Sequence, residues 1–216
     1  MVRERYLNEL EILKENIIQM GKQSQKVLHD SMEAFVNLDL ELAEETIKMD
    51  DQIDAKEMSV EVSTSRLLAL QQPMASDLRL ITSCIRIAID LERMSDLAID
   101  IAELTQRIED GHIKPLNDTK RMAEIAESML ENSIKAFETG DVVLAKKTAF
   151  EDEKVDKLFY SIWVELIDMM TEDSDIVTNA SHLLFLIRHL ERIADHASNI
   201  CESVVYMTTG ERVELN

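Results

Sequence analysis

The stretch Leu91-Glu92-Arg93-Met94-Ser95-Asp96 returns near the other end of the chain as Leu190-Glu191-Arg192-Ile193-Ala194-Asp195, an offset of 99 residues (Glu191 against Glu92). Earlier segments repeat too. Ala34-Phe35 returns as Ala136-Phe137, Asp39 and Ala43 as Asp141 and Ala145, and Asp50-Asp51-x-x-Asp54 as Asp152-Glu153-x-x-Asp156, all at an offset of 102 (Asp152 against Asp50). A repeat this long that keeps charged residues in register is not composition bias. It implies two related units. The change of offset places a longer turn in the first unit, between its second and third helices.

Each unit reads as three helices. Only 4 Gly and 2 Pro interrupt 216 residues, so long helices are the default. The first helix is predicted from about Arg3 to Leu38, with Leu10, Leu13, Ile17, Met20, Ser24, Val27, Ser31, Phe35 and Leu38 stepping by three and four. A second runs from about Leu40 to Gln71 and stops before Pro73. A third runs from about Ser76 to Glu109, with Ser76 as N-cap and Asp77 suited to the helix dipole. The stretch beginning Asp110-Gly111-His112 and containing Pro115 is the linker candidate. Beyond it, helices run from about Asp118 to Glu138, from after Gly140 to about Met170, and from about Asp175 to Thr208, just before Gly210. The fold class expected is all-α: two tandem three-helix bundles related by an internal repeat, at 1–110 and 118–216, joined by a linker at 111–117.

Composition excludes several functions. The formal net charge is −20, which argues against a nucleic-acid binder, since that needs a basic surface to displace counterions. An anionic membrane would repel such a chain. No segment approaches the roughly 20 apolar residues of a membrane span, and no apolar signal core opens the sequence. Cys84 and Cys201 sit in apolar-periodic segments without CxxC spacing and read as reduced core thiols. A cytoplasmic protein is expected.

The chemistry lies in acids placed on apolar stripes. Ala145, Ala149, Asp152, Asp156, Phe159, Trp163 and Ile167 share one three-four stripe, so the two aspartates are expected on a buried face. Leu184, Arg188, Glu191, Asp195, Ser198 and Glu202 step the same way. So do Ile85, Ile89, Glu92, Asp96 and Asp100, while Asp50, Asp54, Glu57 and Glu61 continue from Ala43 and Ile47. Carboxylates at i and i+4 lie roughly 5–6 Å apart at Cβ and repel, more so when partly buried. One such pair is most often a solvated face. Four in register call for a compensating charge beyond Arg93 and Arg192. A divalent or trivalent cation supplies it, and the absence of His from the pairs favours Fe, Mn, Mg or Ca over zinc. Of the five histidines, His112 is expected to be solvated in the linker. His196, beside Asp195, is the one with a candidate role.

These residues resemble the PhoU family. The matching segments are Asp50-x-x-x-Asp54, Glu92-Arg-Met-Ser-Asp96, Asp152-x-x-x-Asp156 and Glu191-Arg-Ile-Ala-Asp195. To these add the turn Gln72-Pro73-Met74-Ala75-Ser76-Asp77-Leu78-Arg79, similar to the family's QPxASDLR signature, and His189 to His196 with Asn199 and Glu202 behind it. The likeness implies metal ligation by Asp50, Asp54, Glu92, Asp96, Asp100, Asp152, Asp156, Glu191, Asp195 and Asn199. Ser95 and Ala194 stand where the family often has Gly, and small residues there suit a close metal approach. The resemblance further implies a homodimeric regulator without catalytic activity. Such a regulator meets the ATPase subunit of the phosphate ABC transporter and a phosphate-sensing histidine kinase, and represses the phosphate-starvation response. Two alternatives are a di-iron carboxylate enzyme, whose Glu-x-x-His motif occurs only as Glu109 to His112, and a phosphotransfer module using His189 or His196.

Overall fold

The computed structural model describes residues 2–109 and 111–215. Met1, Asp110 and Asn216, placed at the ends of the expected units, lie outside these. Among the described residues the order is α1 (Val2–Asn37), α2 (Leu40–Ile47), α3 (Asp50–Gln71), α4 (Ser76–Thr105), α5 (Asn117–Thr139), α6 (Val142–Ala149), α7 (Asp152–Glu172), a 3-10 turn (Ser174–Ile176) and α8 (Val177–Thr209). The all-α repeat architecture is as expected.

The second and fifth expected helices are each two helices. Lys48 and Met49 have ψ of −9° and −14°, and Phe150 and Glu151 have ψ of −16° and −21°. Such ψ values favour 3-10 pairing, and Met49 N–H donates to Thr46 O at 3.0 Å while Glu151 N–H donates to Thr148 O at 3.0 Å. The break redirects the chain without Pro or Gly. Asp50 and Asp152 thereby become the first residues of α3 and α7, where acids complement the helix dipole. The repeated Asp39 and Asp141 cap the short helices. Asp39 Oδ1 accepts from Glu41 and Leu42 N–H at 3.1 Å, and Asp141 Oδ1 from Val143 and Leu144 N–H at 2.9 Å.

The two halves share one core. Leu13, Ile17 and Leu91 of the first half belong to the same buried cluster as Leu130, Leu186 and Ile193 of the second. Helices α4 and α8 run antiparallel along each other. Arg79 Nε donates to Met207 O at 3.3 Å, Ser83 Oγ donates to Ser203 O at 3.3 Å, and His196 Nδ1 lies 2.9 Å from Asp90 Oδ1. Helices α1 and α5 pack beside them. Gly21 makes room there, because a Cβ at that position would stand 2.6 Å from Ile134 Cγ1.

Two sequence readings are corrected here. His112 is not solvated: its Nε2 lies 3.0 Å from Phe35 O and its ring packs against the Phe35 ring at 5.2 Å. Ser76 is the first residue of α4 and not its cap; the cap position is Ala75, at φ 49°, ψ −113°. With Gln72 at φ 46°, the α3–α4 turn holds two left-handed non-glycine residues, a strained shape anchored by the first turn of α4. There Tyr6 Oη donates to Asp77 Oδ2 at 3.0 Å, and Arg79 reaches α8. Burial and Asp77 push the Tyr6 phenol up to about 12.

Candidate metal centre

The core side of α3 is Ile53, Val60, Thr64 and Leu67, and that of α7 is Val155, Ile162 and Leu166. The acid stripes therefore lie beside the core stripe and not on it. Asp54, Asp100 and Asp156 are exposed, and Asp50, Glu92, Asp96, Glu191 and Asp195 are half-buried; Asp152, 4% exposed, alone fits the expectation of burial. Trp163 and Ile167, expected inside, are 41% and 37% exposed. The physical reason is that a three-four stripe is narrower than the buried face of a helix, so stripes at the rim and at the centre look alike in sequence.

The rim placement brings the first-half acids together from two helices. Asp50 and Asp54 of α3 and Asp96 of α4 each offer a carboxylate oxygen, and these atoms lie within 4.8 Å of one another. Among the described residues no other group of three is this tight. Arg93 lies 3.3 Å from both Glu92 and Asp96. Burial raises the Asp50 carboxyl above its ordinary value, and Asp54, Asp96, Asp51 and Asp100 add to it. Burial likewise raises Glu92 and Asp96, with Arg93 opposing in both cases. Glu57 acts on Glu92 as well. It stood on the acid stripe of the sequence but outside the ExxxD pattern, and only the docking of α3 on α4 reveals its place.

The second-half acids recur at equivalent positions with less negative charge, but no three of their carboxylate oxygens meet as closely. Burial and Asp195 raise Glu191, and burial and Asp156 raise Asp195. Arg188 donates to Glu191 Oε1 at 2.5 Å, while Glu191 Oε2 is buried without a hydrogen-bond partner. Aligned by the repeat offsets, Phe159 replaces Glu57, Asn199 replaces Asp100 and Arg188 replaces Ile89. Asp100 sits beside the first cluster and 3.8 Å from His189 Nδ1. Asn199 donates its amide to Asp90 at 3.4 Å, on the seam between the halves. The small residues before the aspartates do not face the acids. Ser95 Oγ donates to Ser24 Oγ at 3.0 Å, 1% exposed, and Ala194 is fully buried, so their size serves helix packing.

The first cluster has the geometry to suit a cation, and the second shares its carboxylate chemistry without the same convergence. The donors are all carboxylate oxygens, the hard-ion set, and each cluster holds carboxyls that resist ionising without a counter-charge. The orphaned Glu191 Oε2 is a ligand atom in want of a partner. The histidines stand otherwise. Burial lowers the His189 imidazole below its ordinary value, and His196 is engaged by Asp90. His112, the histidine of the only Glu-x-x-His, is held by the backbone of α1. Both cysteines are fully buried thiols, pushed up to about 12 by burial.

The fold and these clusters define a class: all-helical proteins of two repeated units, each carrying a carboxylate cluster on its last two helices, α3 and α4 in the first and α7 and α8 in the second. The PhoU domain family matches residues 17–105 and again 119–204. A phosphate-specific transport system accessory protein PhoU homolog of Clostridium acetobutylicum is 36% identical over 218 residues, covering 100% of both chains. One from Aquifex aeolicus is 41% identical over 207 residues, covering 95% of this chain and 94% of its own. The crystal structure of the phosphate transport system regulatory protein PhoU from Streptococcus pneumoniae superposes with a TM-score of 0.92 at 32% identity, over 97% of this chain and 100% of that one. This chain belongs to the PhoU family.

Proposed function

We propose that this protein represses the phosphate-starvation response in the cytoplasm by contact with the phosphate ABC transporter and a phosphate-sensing histidine kinase. In this reading a homodimer does so without catalysis, and cations at the two clusters tune the contacts. Relatives named as accessory proteins of the phosphate-specific transport system support the transporter half of the reading. In the first cluster Asp50, Asp54, Glu92 and Asp96 would hold the ion, with Asp100 beside them. In the second, Asp152, Asp156, Glu191 and Asp195 would hold it, and Asn199, tied to Asp90, would stand aside. A bound Fe, Mn, Mg or Ca ion would turn a repelling acidic patch into a positive centre for a phosphate-bearing or acidic partner. The chain's own part is to converge the carboxylates and to hold Arg93 and Arg188 against them.

The observation that carries this reading is the meeting of Asp50, Asp54 and Asp96 within 4.8 Å. The test is elemental analysis and calorimetric titration with Mn2+ of the wild type, Asp96→Asn and Asp195→Asn. The first cluster is the more negative, so it is expected to bind about tenfold tighter, and Asp96→Asn to lose more affinity than Asp195→Asn. Unchanged metal content and unchanged kinase contact in both variants would sink the proposal.

A further inference from the structure

The internal repeat supplies a control for every surface position, and one surface fails it. On α7 and α8 the exposed side chains include Tyr160 at 66%, Trp163 at 41% and Phe185 at 58%. Tyr160 and Trp163 stack with ring centroids 6.3 Å apart. Phe159, Trp163, Leu184, Phe185 and the stem of Arg188 line an open groove of about 360 Å³ between the two helices. At the equivalent positions the first half carries Glu57 for Phe159, Met58 for Tyr160, Glu61 for Trp163 and Arg86 for Phe185. Leu184 and Arg188 answer to Ile85 and Ile89, so the first half keeps some apolar surface there but folds without a single aromatic, and folding does not require the aromatics. Contiguous exposed apolar surface marks an interaction site, and aromatic anchors dominate interface energies.

Charge says what covers it. The groove lies between α7 and α8, and acids lie beyond it in both directions along them. At one end stand Asp156, Glu191 and Asp195. At the other, in and beside the α7–α8 turn, Glu172, Asp173 and Asp175 are exposed. Of the cations nearby, Arg188 is paired with Glu191 and Lys157 with Glu153, while Arg192 adds positive charge beside Asp195. Asp156 and Glu172 are 16 residues apart on one helix, which spans about 24 Å at 1.5 Å per residue. A second copy of a chain with net charge −20 would bring like charge to both ends.

We infer that the α7–α8 groove is the docking site for a cationic amphipathic helix of a partner protein, with apolar side chains in the aromatic groove and basic residues at both ends. This goes beyond the cation reading and concerns the cation-free protein: Asp156, Glu191 and Asp195 are proposed metal ligands, so a bound cation would compete with the basic residues at that end, whereas the Glu172–Asp175 end contains no proposed ligand.

Trp163 is the sole tryptophan of the chain and reports directly from the groove. The full chain, in chelator, is titrated with an 18-residue helical peptide carrying Leu on one face and Lys at both ends. A second peptide has Glu in place of Lys. The expected result is a saturable blue shift of Trp163 emission with the Lys peptide and at least about tenfold weaker binding of the Glu peptide. Phe185→Ser with Tyr160→Ser should abolish binding. Glu172→Gln with Asp175→Asn should weaken it about threefold or more and flatten its salt dependence. Equal binding of both peptides, or no response of Trp163 to either, overturns the inference. So does a concentration-dependent shift of Trp163 tracking a sedimenting dimer, which assigns the groove to a second copy. A shift with zwitterionic phosphatidylcholine vesicles but not with the Lys peptide assigns it to lipid. Because the titration is run in chelator, failure of the cation proposal would leave this result standing.

Discussion

Asp50, Glu92, Asp96, Glu191 and Asp195 share one predicament: each is raised above its ordinary value, with burial as the largest cause. A carboxyl raised by folding holds more protons folded than unfolded in the interval between its two values, so stability falls as pH rises through that interval. The interval begins at the unfolded values, 3.8 for Asp and 4.5 for Glu, and extends upward. The chelated protein is therefore expected to melt at a higher temperature as pH is lowered from neutral into that interval. Scanning calorimetry with and without Mn2+ checks this, since a cation satisfying the clusters should reduce the gain. Asp96→Asn with Asp195→Asn should reduce it too, which separates the clusters from the general relief of net charge. The ExxxD pairs were legible in the sequence. Their partners across the helices, and the place of Glu57, were not, because i,i+4 spacing reports one helix and says nothing of which neighbour docks on it.

At the scale of elements, the sequence carried helix type and approximate ends, while the breaks in the second and fifth helices escaped it. Lys48-Met49 and Phe150-Glu151 hold no Gly or Pro, and a 3-10 step costs so little in pattern that the apolar spacing runs through it. The packing of α1 on α5 was equally invisible, though Gly21 is its mark. Gly21→Ala is expected to destabilise the chain by about 1–3 kcal/mol, since Ile134 is β-branched, buried and unable to swing away. Adding Ile134→Ala should make the pair less damaging than the sum of its parts, readable as coupling in a denaturant double-mutant cycle. Additivity would mean that the helices do not meet at this point.

At the scale of the molecule, the repeat announced two units, and the structure joins them through a common core lined by α4 and α8. The segment 111–117 is drawn in as well: Leu116 is 6% exposed and Lys114 pairs with Glu165 of α7. A repeat in sequence reports ancestry of the fold units and not their independence. Residues 1–110 expressed alone are expected to self-associate, and mixing with residues 111–216 to restore a discrete species on size exclusion. A monomeric, cooperatively melting first half would contradict the shared core. The antiparallel seam has a consequence during synthesis. The side of α4 that faces α8 has no cover until α8, more than seventy residues later, leaves the ribosome. At about 5–20 residues per second that is a wait of several seconds, long enough for a nascent-chain chaperone to occupy the place that α8 will later take.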